Sequence, residues 1–201
     1  MNTDPVVKEI KKICQKYKKW ILIGSLFIKD KKKIRNRSIM INPKGKVEGF
    51  YDKINMFDVE LSKKEIHKES DFFSAGKKLK YIDLPWGRLG LTICFDLRFP
   101  ELFRKLSKKK VNFISVPAAF TKITGKHWIP LLRARAIENF CYIFAPAQTG
   151  KNNSKRETFG HSVIISPDGQ ILNIKKSFEG VIYSKIYPGL SMKLRKIIPS
   201  L

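Results

Sequence analysis

The stretch Leu89–Glu101, LGLTICFDLRFPE, decides the fold that the sequence predicts. Its first half alternates large apolar residues with small ones, which is typical of a buried strand, and Cys94 follows directly. Pro100 and Glu101 then mark the start of a helix. A cysteine at such a strand–turn–helix junction lies where strand ends meet solvent, close to backbone N–H groups that bind anions. A free cysteine is as often a small buried hydrophobe, so this stretch alone leaves both interpretations open.

The composition is that of a globular protein. The 201 residues are 43% hydrophobic and 29% charged, and no apolar run approaches the roughly 20 residues that cross a bilayer. The N-terminus lacks the apolar segment of a signal peptide. Cys14, Cys94 and Cys141 are widely spaced without a CxxC pair, and the three histidines show no metal-ligand spacing. We therefore expect a cytoplasmic protein with neither a disulfide framework nor a metal site.

The net charge of +24 comes mostly from lysine. Runs such as Lys31–Lys33 and Lys108–Lys110 lie at predicted turns and helix ends, where charge is solvated and like charges repel. Nucleic-acid binding would favour arginine and exposed aromatic residues grouped along one element. We therefore do not expect nucleic acid as a partner, and a basic nucleic-acid binder is kept as a third alternative.

Hydrophobic periodicity predicts an α/β domain of mixed sheets over residues 1–201, with no internal boundary. Residues 5–18 form an amphipathic helix in this interpretation, and Trp20–Ile28 a strand buried on both faces. The polar stretch 54–76 is a loop, whose length suggests a lid. The other predicted elements are two hairpins (Ser38–Ile41 with Val47–Tyr51, and Leu79–Leu84 with Leu89–Ile93), two helices (Phe99–Lys109 and Trp128–Asn139) and further strands (Val111–Val116, Cys141–Ala145, His161–Ser166, Ile171–Ile174 and Gly180–Ile186).

Several common active-site signatures are absent from the sequence. There is no G-x-S-x-G motif of a serine hydrolase, no phosphate-binding loop and no dinucleotide fingerprint. No histidine stands in an obvious pairing with Cys94. A lysine or a carboxylate would have to activate this cysteine.

Two motifs resemble those of the nitrilase-type carbon–nitrogen hydrolases. Tyr51–Asp58 (YDKINMFD) is similar to the lysine motif of that family, and Ile93–Glu101 (ICFDLRFPE) to its nucleophile motif. Lys53 precedes Cys94 by 41 residues, which is similar to the separation in the family. Further similar stretches cover most of the chain in order: Pro117–Phe120, Thr124–Trp128, Arg133–Asn139 and Arg156–Ser162, the last of which most resembles the branch of deaminated glutathione amidases.

The resemblance implies a role for four residues. Cys94 would attack an amide carbonyl and form a thioester. Lys53 would favour the thiolate and, with the backbone N–H of Phe95, would stabilise the oxyanion. Glu69 would hold the lysine and help to orient the substrate. Taken alone, Lys53 and Glu69 are typical of a solvated pair in a loop, and only their coincidence with the other motifs favours catalysis.

The resemblance also implies the fold and the substrate class. The fold would be a nitrilase-like αββα sandwich, normally a homodimer packed through helices such as Trp128–Asn139, with no metal or organic cofactor. The substrate would be the amide of a small ω-amido acid. The abundance of lysine and arginine near the loops suits a substrate that carries a carboxylate, and we expect that carboxylate to contact Lys122, Lys126 and Arg156.

The sequence departs from the family at its start. The general base of the family is a glutamate that follows a strand upstream of the one matched by Trp20–Ile28. Residues 1–19 contain one glutamate, Glu9, which belongs to the helical pattern. We therefore expect a chain without the first strands, the first helix and the catalytic glutamate of the family. Because loss of a general base costs about 10²–10⁴-fold in rate, a catalytically inactive remnant that binds a partner or a metabolite is the alternative.

Overall fold

The structure is a computed structural model that describes residues 4–63, 65–153 and 156–201, apart from the side chains of residues 65, 152, 153 and 156. The chain divides into two compact units, Met1–Ile82 and Asp83–Leu201. The expectation of one domain over residues 1–201 stays a prediction.

The first unit begins with the predicted amphipathic helix, α1, Pro5–Tyr17. Asp4 caps it, because its side chain accepts a hydrogen bond from the N–H of Val7 at 3.1 Å, and Pro5 suits the first turn. The helix ends at Lys18, whose φ of 53° lies in the left-handed region. The helix prediction is confirmed.

A three-stranded antiparallel sheet follows, in the order β1 (Ile21–Asp30), β2 (Lys33–Ile41) and β3 (Val47–Asp52). The turn between β2 and β3 is built by Asn42, whose side-chain oxygen accepts the N–H groups of Lys44 and Lys46. The hairpin prediction is confirmed. The core of this unit comprises buried residues of α1, β1 and β2: Val7, Cys14, Ile28, Ile39 and Ile41.

The prediction that the first strand is buried on both faces is wrong. In β1 only Ile28 is buried, whereas the side chain of Phe27 is 67% exposed. Residues of α1 cover one face of the strand, and β2 is its one hydrogen-bonded neighbour within the described residues. A continuous apolar run does not show whether a second layer covers the other face.

The predicted loop over residues 54–76 contains regular structure. A two-stranded hairpin of β4 (Asp58–Ser62) and β5 (Glu65–Lys68) is followed by a 3₁₀ turn, Glu69–Asp71. Its residues are mostly polar because much of this small hairpin faces solvent. The polar composition of this stretch therefore did not indicate its two strands.

A mixed six-stranded sheet forms the centre of the second unit, and the unit boundary falls within its first strand, β6 (Lys80–Leu84). The three central strands, β7 (Gly87–Leu91), β8 (Phe113–Ser115) and β9 (Tyr142–Ala145), run parallel. Helix α2 (Pro100–Lys108) connects β7 to β8, and α3 (Trp128–Asn139) precedes β9. These elements lie where the sequence predicts them.

The C-terminal third combines confirmed and wrong predictions. The hairpin β10 (Thr149–Asn153) and β11 (Arg156–Phe159) was not predicted, whereas β12 (Ser162–Ile165) and β13 (Ile171–Lys175) were, and they complete the sheet in the order β13-β12-β9-β8-β7-β6. No strand is described over the predicted Gly180–Ile186, where Val181 and Tyr183 are more than 80% exposed. The last element is helix α4, Gly189–Ile197, which the sequence did not predict.

Candidate active site

Cys94 lies at a sharp turn between β7 and α2. After β7 the chain passes through Thr92 and Ile93, a 3₁₀ turn covers Cys94–Arg98, and α2 begins at Pro100. The φ of Cys94 is +49°, a left-handed conformation that costs a non-glycine residue roughly 1–2 kcal/mol. Such a conformation persists only where its surroundings hold it, and it is found preferentially at functional sites.

Hydrogen bonds on both sides hold this turn. The N–H of Cys94 donates to the carbonyl oxygen of Pro117 at 2.9 Å, and the N–H of Thr92 donates to that of Ser115 at 3.1 Å. The fully buried carboxylate of Asp96 accepts the N–H of Ile93 at 2.9 Å. The extension of β8 and the buried carboxylate therefore fix the backbone at the cysteine.

Helix α3 supports the same turn from behind. The guanidinium of Arg135 donates two hydrogen bonds to the carbonyl oxygen of Leu97, at 3.1 and 2.9 Å. Arg135 is buried and also pairs with Glu138 at 3.0 Å. The helix thus anchors the carbonyl three residues after the cysteine.

Arg98 places a cation near the thiol. Burial lowers the pKa of its guanidinium, and the charge of Cys94 offsets part of that effect. One guanidinium nitrogen lies 3.4 Å from Nδ1 of His127, and the group lies over the ring of Phe120. Among the described residues, Arg98 forms no ion pair with Glu101, although the two lie only three positions apart.

Lys53 and Glu69, which are predicted to act together, form a buried ion pair in the first unit. The ammonium of Lys53 contacts Oε2 of Glu69, and the two side chains are only 3% and 13% exposed. The same oxygen accepts the N–H of Phe57 at 2.7 Å. Because an ammonium withdrawn from water is costly unless it is paired, this arrangement differs from the solvated loop pair that the two residues suggest in isolation.

The backbone of Lys53 is also fixed. Its N–H donates to the carbonyl oxygen of Asn36 at 2.9 Å, and its carbonyl oxygen accepts the N–H of Gly76 at 2.7 Å. A Cβ atom at residue 76 would lie 2.2 Å from the carbonyl oxygen of Asp52, so this close approach requires glycine. The lysine is therefore held from β2 and from the segment that follows the 3₁₀ turn.

The predicted contact between Lys53 and Glu69 is present in the first unit. Cys94 and Phe95 lie in the strained turn of the second unit. The assignment of these four residues to one reaction remains a proposal.

The predicted substrate contacts have different environments. Lys122 pairs with Glu157 at 2.8 Å, and both side chains are largely exposed. Lys126 is exposed in the 3₁₀ turn Gly125–His127. Arg156 begins β11, and its side chain lies outside the described residues. Lys122 therefore already has a carboxylate partner, which a substrate would have to displace.

Sequence analysis missed two residues near these groups, Asn36 and Arg98. A polar run, Arg35–Arg37, inside a strand was the available signal for Asn36, because a polar residue buried in a sheet needs a partner. The sequence offered no signal for the placement of Arg98 beside Cys94, since the side-chain direction at the turn depends on its conformation.

No helix in the described part of the chain is long and apolar enough to span a membrane. Among the same residues, no group of three or more histidine, cysteine or acidic side chains is arranged to hold a metal ion.

Comparison with known proteins agrees with this fold and with these motifs. The family model described as carbon-nitrogen hydrolase matches residues 2–196. The deaminated glutathione amidase of Yersinia enterocolitica is 43% identical over 178 residues, covering 85% of this chain and 62% of the relative. That of Dictyostelium discoideum is 40% identical over 174 residues, covering 84% of this chain and 60% of the relative. The chain spans about three fifths of the length of these curated relatives.

Solved structures show the same architecture. The NitFhit protein of Caenorhabditis elegans superposes with a TM-score of 0.92 at 36% identity, covering 98% of this chain and 49% of that chain. Nit3 of Saccharomyces cerevisiae, described as a member of branch 10 of the nitrilase superfamily, superposes with a TM-score of 0.86 at 31% identity, covering 96% of this chain and 69% of that chain. The predicted nitrilase-like α/β fold class is confirmed.

Proposed function

Because the chain belongs to the carbon–nitrogen hydrolase family, we propose that it is a thiol amidohydrolase with Cys94 as the nucleophile. The observation that carries this proposal is the strained, half-buried cysteine between β7 and α2. A non-glycine residue in a left-handed conformation is strained, and such strain is concentrated at functional sites. A turn that presents a nucleophile is one such site.

The reaction assigns one step to each residue. The thiolate of Cys94 attacks the amide carbonyl carbon, and the negative charge moves to the carbonyl oxygen. The Lys53 ammonium and the N–H of Phe95 stabilise that oxyanion, and a donor of this kind is worth roughly 3–4 kcal/mol. The C–N bond then breaks, the leaving nitrogen takes up the proton that the thiol released and departs as ammonia, and a thioester remains. Water hydrolyses the thioester to a carboxylic acid and restores the thiol.

Glu69 supports the lysine in this scheme. Its carboxylate is partly buried and already contacts the Lys53 ammonium, so the cation is held in place before a substrate binds. Preorganisation of this kind lowers the barrier, because the charge that stabilises the oxyanion does not have to be reoriented during the reaction.

The substrate class proposed is the amide of a small ω-amido acid. Two relatives carry the name deaminated glutathione amidase, and this name supplies the probe. Lys126 and Arg156 are the proposed contacts of the substrate carboxylate, and Lys122 joins them if the substrate displaces Glu157. A homodimer packed through α3, where Ile137 is 44% exposed, and a cytoplasmic location complete the proposal.

The experiment measures ammonia release from deaminated glutathione by the 201-residue chain. Cys94→Ala should reduce release to background, and Lys53→Met should lower the rate by at least about 10²-fold because an oxyanion donor is lost. Lys12→Met is the matched control, since Lys12 is an exposed lysine of α1 paired with Glu9. Equal release from all four proteins would overturn the proposal.

A further inference from the structure

Asn36 contacts both members of the buried ion pair. It lies in β2, and only 9% of its surface is exposed. Its backbone oxygen accepts the N–H of Lys53 at 2.9 Å, and its side-chain nitrogen donates to Oε1 of Glu69 at 3.0 Å. One residue of the sheet therefore binds the backbone of the lysine and the carboxylate of its partner.

The hydrogen bonds of Glu69 show what this contact does. Oε2 accepts hydrogen bonds from the ammonium of Lys53 and from the N–H of Phe57, and Oε1 accepts one from the side-chain nitrogen of Asn36. An ionised carboxylate only accepts hydrogen bonds, so the amide nitrogen of Asn36, and not its oxygen, must face Glu69. Donors on both oxygens fix the rotation of the carboxylate plane and, through it, the position of the ammonium.

The asparagine is a costly choice for stability alone. Its side-chain oxygen is buried and has no hydrogen-bond donor among the residues that the structure describes. A buried acceptor without a donor costs free energy of folding, and an apolar residue would avoid that cost but would leave Oε1 of Glu69 without its amide donor. The two effects on the free energy of folding oppose each other, so stability alone gives this position little reason to carry an amide.

We propose that Asn36 is a positioning residue, which orients Glu69 so that the Lys53 ammonium is held ready for an oxyanion. This inference rests on the function proposed above and deepens it. Asn36 acts through Glu69 and contacts neither the nucleophile nor the reacting carbonyl group in this scheme.

The first test is Asn36→Leu, which removes the donor and the unpaired oxygen together while it keeps the number and branching of the side-chain heavy atoms. We expect kcat for ammonia release to fall about 10- to 100-fold, because a displaced catalytic group has effects of this size, and KM to change less than about threefold. The urea midpoint of unfolding should change little, because the loss of the donor to Glu69 and the removal of the unpaired oxygen oppose each other. Asn173→Leu is the matched control, since Asn173 is an asparagine of β13 whose side chain bonds an exposed carbonyl.

The second test is Asn36→Asp, which places a second carboxylate against Glu69. Two adjacent carboxylates share protons, so ionisation of the pair requires a higher pH. Because the ionised carboxylate holds the lysine, the acidic limb of the pH–rate profile should move to higher pH. A residue with a purely structural role would lower the rate without moving this limb.

A third measurement does not depend on turnover. The rate of Lys53 acetylation by an N-hydroxysuccinimide ester, mapped by peptide mass spectrometry, should rise at least about threefold in Asn36→Leu because the ammonium loses its fixed partner. Acetylation of Lys12 in the same protein should not change. If the unmodified chain releases no ammonia while Lys53 acetylation rises as expected, the proposed function fails and the positioning role stands.

The positioning role is overturned by either of two results. One is an Asn36→Leu protein in which neither kcat nor Lys53 acetylation changes. The other combines two observations. In Asn36→Leu the urea midpoint and kcat fall together, and in Asn36→Asp the acidic limb of the pH–rate profile stays in place. Asn36 would then be a structural residue.

Discussion

Cys94 and Cys141 both lie in the second unit, and each has an arginine nearby, yet their environments differ in almost every other respect. The sulfur of Cys141 lies 3.1 Å from a guanidinium nitrogen of Arg195 and is completely buried. Burial nevertheless raises the pKa of Cys141 to about 12, because the loss of water outweighs the attraction of the cation. Cys94 is only half-buried, at a strained turn beside Arg98.

The difference shows that a neighbouring cation does not by itself make a thiol reactive. Access to solvent at the end of a strand decides the outcome, and the cation then adds to it. Cys14 agrees with this interpretation, because it is fully buried and burial raises its pKa as well. Of the three thiols, Cys94 is the one whose surroundings suit a nucleophile.

The largest expected effect is in alkylation. Iodoacetamide at pH 8 should modify Cys94 at least about 100-fold faster than Cys14 or Cys141 in the folded protein, since alkylation requires an accessible thiolate. Peptide mapping over time measures the three rates, and unfolding in urea should make them similar. Comparable alkylation rates at the three cysteines of the folded protein would contradict the claim that Cys94 alone has an accessible thiolate.

The next effect concerns the arginine beside Cys141. Arg195 donates to the carbonyl oxygens of Val111 and Asn139 at 2.7 and 2.8 Å, which joins α4 to the segment before β8 and to the last residue of α3. Arg195→Met should lower the free energy of unfolding by about 1–3 kcal/mol, because these buried acceptors lose a charged donor. Urea unfolding measures the loss. Arg133→Met, on an exposed part of α3, removes one hydrogen bond to the carbonyl oxygen of Gly169 and should cost less than about 1 kcal/mol; an equal cost would contradict a structural role for Arg195.

A smaller effect tests the strain at Cys94. Glycine adopts a φ of +49° without penalty, so Cys94→Gly should be more stable than Cys94→Ala by about 0.5–1 kcal/mol although neither has a nucleophile. Thermal unfolding compares the two variants. Cys141 lacks a positive φ, and Cys141→Gly should be less stable than Cys141→Ala. The same order at both positions would remove the evidence for strain.

The smallest effect is that of Arg98 on the thiol. Its positive charge favours the thiolate form of Cys94, so Arg98→Met should move the pH midpoint of alkylation to higher pH. At pH 7 the rate should fall at least about twofold, because fewer molecules carry the thiolate. Arg195→Met should leave the Cys94 profile in place. An Arg98→Met profile identical to that of the unmodified chain would show that exposure alone controls this cysteine.

Local patterns made much of the second unit predictable. The stretch Leu89–Glu101 predicted strand, turn and helix, and Trp128–Asn139 predicted α3 with its observed bounds, because propensity, capping and periodicity agree there. The resemblance to a family supplied Lys53 and Glu69. Nothing in their local sequence indicates that this pair is buried.

Other features depended on contacts that a sequence does not display. The apolar run of β1 gave no sign that Phe27 faces solvent, and the sequence predicted a strand over Gly180–Ile186 where the structure describes none. The role of Asn36 required knowing that its amide meets a carboxylate 33 residues away. Burial and pairing of polar groups arise from tertiary structure and override local preference.

The central claim, a thioester on Cys94, has a direct test. The chain is mixed with deaminated glutathione, quenched in acid, and examined by intact-mass and peptide mass spectrometry. We expect a fraction of the protein to gain the acyl group, the substrate less ammonia, on the peptide that contains Cys94, and Cys94→Ala to gain none. An acyl group on another residue, an equal gain in Cys94→Ala, or no acylation at all would contradict the claim.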